Sequence, residues 1–232
     1  MIREGLTEAF ALLRAADPAV LDAAIRSVWV SAVAVGLASL AGISGGLLLA
    51  RKPVPGKTVL VLLARVGMSV PTVLIGLVCF AMFSRRGPLG SLELLYTNLA
   101  IIAGEICLAF PIIVTLTHAA VSRMDARIPE SALTLGAGSL QRGLTYLNET
   151  RLAIVLAVLT AFSRCFTELG IAMMVGGNLP GRTRTLTTAT ALETSRGEFA
   201  RGIAMCLILL LIALVITAAT AWLNRNAEQE QP

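Results

Sequence analysis

The sequence predicts an all-α integral membrane protein with about five transmembrane helices, and three observations predict it. Apolar runs long enough to cross a bilayer recur along the chain. Only 14% of the 232 residues are charged while 56% are hydrophobic, and the mean hydropathy is +0.81. A soluble domain carries about a quarter charged residues, so this chain lacks the polar surface to stand in water.

Residues 1–23 set Leu6, Phe10, Leu13, Val20 and Leu21 among Arg3, Glu4, Glu8, Arg14, Asp17 and Asp22. That mixture predicts an interfacial segment lying on the membrane, with Asp17-Pro18 starting the next helix. It has no compact apolar core of a cleavable signal, so the segment is expected to stay in the mature protein. Crossing roughly 30 Å of hydrocarbon takes about 20 apolar residues. Five stretches qualify: Ser27 to Ala50, Thr58 to Phe83, Leu94 to Thr117, Leu152 to Val175 and Ile203 to Leu223. The short connections Arg51 to Lys57 and Ser84 to Gly90 carry Pro and Gly turn chemistry. Pro71 and Pro111 are expected to kink their helices, as hinges or as static bends.

The four cysteines, Cys79, Cys107, Cys165 and Cys206, sit singly in apolar runs and read as small buried side chains rather than as a metal or redox site. His118 has no second histidine beside it and is assigned no chemistry. The 19 basic residues give a net charge of +5, but they are scattered among loops without interleaved aromatics, which excludes a nucleic-acid stripe. They do not orient the chain either. With the N-terminus outside, eight basic residues fall on the cytoplasmic side (Arg51, Lys52, Lys57, Arg123, Arg127, Arg142, Arg151, Arg225) and nine on the other.

Two longer connections hold the informative polar sequence. In residues 118–151, Ile128-Pro129-Glu130-Ser131-Ala132 starts a short helix with Pro129 at its first position and Glu130 at its positive end. Gly136-Ala137-Gly138 permits a bend, and Ser139 is expected to cap a second helix. Leu133, Ala137, Leu140, Leu144 and Leu147 then recur at helical spacing, a stripe for a partner or for the bundle.

Glu130-Ser131-Ala132-Leu133-Thr134-Leu135-Gly136 resembles the EAA loop of bacterial ABC importer permeases, with Ser131 in place of the first Ala and no Ile-x-Leu-Pro ending at Tyr146 to Glu149. Met173 to Gly181, Thr185 to Ala189 and Ala191 to Phe199 resemble tungstate importer permeases, and more loosely the molybdate and sulfate ones. The likeness also covers Pro71, Pro111, the Ser84 to Gly90 turn and Phe162 to Gly170, and extends from about residue 20 onward. It implies a type I ABC importer permease fold in the bacterial inner membrane, the N-terminus outside, and a cytoplasmic coupling helix. Glu130, Ser131, Ala132, Leu135, Gly136 and Gly138 would seat it in the ATPase. It implies a transmembrane domain over 24–224 with a coupling loop at 119–151 and an extracytoplasmic loop at 176–201, followed by a polar tail at 225–232. The implied partners are a second copy of the chain, a cytoplasmic ABC ATPase dimer, an extracytoplasmic oxyanion-binding protein and lipid.

Ionisable groups within apolar spans normally face protein or a water-filled path. Arg65, Glu105, Arg164 and Glu168 are such groups, and the last two stand four apart on one helical face. They read either as a structural ion pair or, for Arg164, as part of an anion route, since a guanidinium offers directional donors to oxygen. Gly176, Gly177, Asn178 and Gly181 form either an anion-binding concavity of amides or a plain re-entrant turn. Arg65, Pro71, Glu105, Arg164, Glu168, Gly177 and Asn178 are therefore the candidate path or gate residues. No Gly-x-x-x-x-Gly-Lys-[Ser/Thr] loop occurs. The chain is expected to be a non-catalytic subunit binding no cofactor, with ATP and Mg used by its partner ATPase. The alternatives are a molybdate or sulfate permease, an ion-gradient-driven secondary transporter with Glu105 and Glu168 carrying protons, and a passive scaffold.

Overall fold

The computed structural model describes residues 2–15, 17–51, 53–125 and 127–229. Ten α-helices follow in order: α1 (Ile2–Ala15), α2 (Pro18–Arg51), α3 (Lys57–Gly67), α4 (Thr72–Phe83), α5 (Asn98–Ser122), α6 (Arg127–Thr134), α7 (Ser139–Glu149), α8 (Arg151–Phe166), α9 (Leu186–Ser195) and α10 (Phe199–Gln229). Three are long and apolar enough to span a membrane unbroken: α2, α5 and α10.

The second predicted span is two helices. α3 and α4 pass the length test only together and meet at a 99° bend. α3 ends at Gly67 and residues 68–70 turn; Pro71, with ψ 127°, lacks an amide hydrogen and disfavours helical geometry at Val70, so the chain restarts as α4 in a new direction. Pro111 has no such effect on continuity, because α5 runs on through it to Ser122. The fourth predicted span is also interrupted. The 16 residues of α8 extend about 24 Å at about 1.5 Å per residue, short of the hydrocarbon thickness. Residues 167–169 then leave the helix, and Ala172–Gly176 forms one π-helical turn. Side chains feed that break: the Thr167 hydroxyl donates to the Ser163 carbonyl at 3.0 Å, and Glu168 Oε1 accepts from the Ile171 amide at 3.3 Å.

The core lies along the seam of α2 and α5. Gly42 and Gly46 let the two backbones close up: a Cβ on Gly46 would come within 2.7 Å of Thr117 Cβ, and one on Gly42 within 2.9 Å of Ile113 Cγ2. Helices in lipid gain little from the hydrophobic effect, so close approach through small residues is the main packing device. Val30, Ala34, Val35 and Ala38 of α2 bury against Ile101, Leu108, Ile112 and Ile113, and Ala161 and Cys165 of α8 complete the cluster. A second cluster joins Val20 and Ala23 to Phe166, Leu186, Ala189, Met205 and Ile208. Cys79 and Cys165 are buried as predicted, whereas Cys107 and Cys206 are exposed on outward faces of α5 and α10; all four are free thiols.

The N-terminal segment is helical and packs along α10. Asp17 starts α2 by accepting the Ala19 amide at 2.8 Å, and Arg201 of α10 reaches its carboxylate at 3.8 Å. α3 has no buried residue. Its Val59, Leu60, Leu63 and Val66, with Val73, Leu74 and Leu77 of α4, leave a broad apolar face uncovered by this chain.

Candidate coupling surface and translocation path

The loop after α5 folds as the predicted helix pair, with different caps. The Asp125 carboxylate accepts the Arg127 amide at 2.9 Å, so α6 begins two residues before Pro129, which becomes its third residue rather than its first. Pro129 still falls in the first turn, where a missing donor costs nothing. α6 ends in a Schellman turn: the Ala137 amide donates to Ala132 O at 2.9 Å, the Gly136 amide to Leu133 O at 3.0 Å, and Gly136 takes φ 75°. Gly138, not Ser139, is the N-cap of α7, and its amide donates to Gln141 Oε1 at 2.8 Å. A short side chain at position 139 was the misleading signal; Gln141 pulls the cap one residue earlier.

Glu130, Ser131, Gly136 and Gly138 are exposed and Ala132 half-buried. The leucines stand open: Leu135 is 86% and Leu140 77% exposed, with Leu133 and Leu144 more than half exposed. The apolar stripe is thus not consumed by the bundle. The hairpin is nevertheless fastened. Tyr146 of α7 is buried beneath Arg51, whose guanidinium carbon lies 4.8 Å from the ring centroid and whose Nη2 donates to Val121 O at 2.8 Å. Arg51 ends α2 and Val121 lies in the last turn of α5, so one side chain ties the hairpin to both seam helices. A cleft of about 270 Å³ between Ser44, Leu48, Arg51, Ser139 and Arg142 follows the joint. Sequence reasoning passed over Arg51 and Tyr146, and spatial adjacency across 95 positions leaves no local pattern.

The candidate path residues fall in separate places. Arg164 and Glu168 form an ion pair at 2.8 Å, with the Glu168 side chain 2% and that of Arg164 44% exposed, so the structural pairing is present and one side of the guanidinium remains open. Glu105 of α5 is buried nearby, its carbonyl accepting from Cys165 Sγ at 3.7 Å and its Oε2 without a partner among the described residues. Pro71 makes the α3–α4 break. Gly177 and Asn178 form a tight turn with φ 69° and 51°. Two of its amides are engaged internally: Gly177 donates to Met173 O and Leu179 to the Thr183 hydroxyl, while Asn178 Oδ1 accepts from Arg184 Nε at 3.2 Å. A Cβ on Gly177 would collide with the Tyr96 ring. Arg65 lies on exposed α3, in a cleft that none of the other path residues lines.

Unbroken spans beside a sharply bent pair, an ion pair inside the bundle and an open helical hairpin tied to the seam describe a multi-pass membrane protein. The chain belongs to the family of binding-protein-dependent transport system inner membrane components, whose pattern matches residues 42–229. It is a permease subunit of the ABC importer class and resides in the inner membrane, which removes the secondary-transporter and scaffold alternatives. It is 37% identical over 217 residues to the tungstate uptake system permease protein TupB of Peptoclostridium acidaminophilum, covering 94% of this chain and 95% of that one. It is 38% identical over 225 residues to TupB of Campylobacter jejuni, covering 97% and 94%. The molybdenum transport system permease protein ModB of Escherichia coli K12 is 29% identical over 220 residues, covering 90% and 95%. In fold, the chain matches the crystal structure of an amino acid ABC transporter with a TM-score of 0.68 at 15% identity, over 94% of this chain and 97% of that one.

Proposed function

We propose that this chain conducts tungstate across the inner membrane as a homodimer driven by a separate ATPase and loaded by an extracytoplasmic binding protein. The observation that carries the coupling is the α6–α7 hairpin, which presents four open leucines to a partner while Arg51 and Tyr146 hold it to α2 and α5. ATP binding would close the ATPase pair around the Glu130 hairpins, and the Arg51 joint would pass the displacement into the seam. ATP and Mg act in that partner; no cofactor is assigned to this chain. The uncovered apolar face of α3 and α4 supports a second copy lining a shared path.

Tungstate is the favoured cargo because both TupB relatives are more similar than ModB over nearly the whole chain. Molybdate is the second reading, since the two dianions are close in size and charge. The open side of Arg164 supports its contact with the anion in transit, with selectivity held by the binding protein. The test is ATP hydrolysis by the chain reconstituted with its ATPase and binding protein under tungstate, molybdate, sulfate or no anion. Stimulation by tungstate at lower concentration than by the others is expected; equal response to molybdate transfers the assignment, and no co-purifying ATPase removes it.

A further inference from the structure

Lys57, Thr58, Val61, Leu62 and Arg65 share one face of α3, and that face meets His118 of α5 across a cleft of about 360 Å³. Lys57 opens α3 directly after the short connection from Arg51, and His118 lies one turn before the end of α5, so both sit at the end of the bundle that carries the coupling hairpin. Arg65 is two turns deeper, about 12 Å along the helix at about 1.5 Å per residue. The lining contains no carboxylate, and the sequence holds no Asp or Glu between Asp22 and Glu93. Glu105, on the same helix as His118, is 13 residues away. Arg65 has no hydrogen-bond or ionic partner among the described residues, unlike Arg26, Arg51 and Arg164, which are all engaged. Lys57 spends one proton on the Ala50 carbonyl at 3.2 Å. His118 Nε2 faces the Ser122 hydroxyl at 3.5 Å, leaving Nδ1 toward other partners.

An unneutralised guanidinium and an ammonium on one face of α3, with an imidazole across a mainly apolar cleft and no carboxylate in the lining, concentrate positive potential there. Lys contributes a point charge and Arg a planar fork of donors, a combination suited to a tetrahedral anion. We propose that Lys57, Arg65 and His118 form a binding site for a tetrahedral oxyanion at the cytoplasmic mouth of the bundle. The location of that mouth rests on the permease reading above. The same chemistry is offered by the transported dianion and by a phospholipid phosphate.

The complete chain, purified in detergent and stripped of phospholipid, is titrated calorimetrically with sodium tungstate, and in a separate arm with short-chain phosphatidylglycerol. Arg65→Gln is the main variant, since Arg65 is exposed and unpartnered and its replacement leaves packing intact; equal melting temperatures verify this. Binding of either ligand is expected, weakened about tenfold by Arg65→Gln, retained by Arg65→Lys within about threefold, and weakened less by His118→Gln. The arm that responds identifies the source of the anion. Absence of binding in both arms, or equal binding by Arg65→Gln, overturns the site. Neither titration needs the ATPase or the binding protein, so a failed reconstitution and a failed titration strike different proposals.

Discussion

The α2–α5 seam and the α6–α7 hairpin are made from similar apolar side chains and differ in what covers them. Along the seam, Gly42 and Gly46 draw two backbones together until side chains such as Ile113 and Leu108 are sealed. On the hairpin, Leu135 and Leu140 point away from everything in the chain. Apolar residues therefore stand in two settings here: the seam is sealed inside one polypeptide, and the hairpin leucines stay open, as the proposed coupling surface requires. Substitutions in the first should move melting temperature, and in the second the yield of assembled transporter.

The sharpest break is Gly46→Leu. Its side chain would overlap Thr117 and the Val114 carbonyl, a backbone contact at 2.8 Å that cannot rotate away. A loss of about 3 kcal/mol is expected, read as a fall in melting temperature and in detergent-soluble yield. An unchanged melting temperature would mean that the seam is looser than described. Next comes Arg164→Ala, which strands the buried Glu168 carboxylate; a cost of roughly 2 kcal/mol follows, discounted because the guanidinium is half-open. Adding Glu168→Gln to that variant should recover most of it, and failure to recover would assign Arg164 a second partner. Gly136→Leu costs about 1–2 kcal/mol within the hairpin through its left-handed backbone alone, since nothing lies within 4 Å of an added Cβ. The bundle's melting temperature should hold while ATPase co-purification falls, and Gly136→Asn should do so more mildly. Glu130→Lys has the smallest effect on the fold, about 0.5 kcal/mol at an exposed helix start. Its expected result is an inserted protein with transport uncoupled from ATP hydrolysis; normal transport would take Glu130 out of the coupling surface.

Periodicity and apolar length made the helices legible, because both are local. The break at Pro71 was half visible: proline announced a disturbance, but its 99° size depends on α4 turning to meet the π-helical segment through Gly76, where a Cβ would touch Met174. The break after Phe166 was invisible, for Thr167 and Glu168 end α8 by side-chain bonds that compete with the helix, and the Thr187 hydroxyl then fixes the Glu168 carbonyl at 2.8 Å from 19 residues away. The hairpin was read from its own residues, whereas its fastening through Arg51 was not. His118 was assigned nothing because Lys57 and Arg65, which share its cleft, precede it by more than 50 positions.

On the proposed coupling, the stack of Arg51 on Tyr146 also makes motor choice and cargo choice separable traits. Residues 127–144 carry the surface proposed for the ATPase, while the anchor sits at 146 and the intramembrane charges lie on other elements. A hairpin transplanted from a related permease, with Arg51 and the anchoring tyrosine kept, would retune the chain to a foreign motor while leaving its anion untouched.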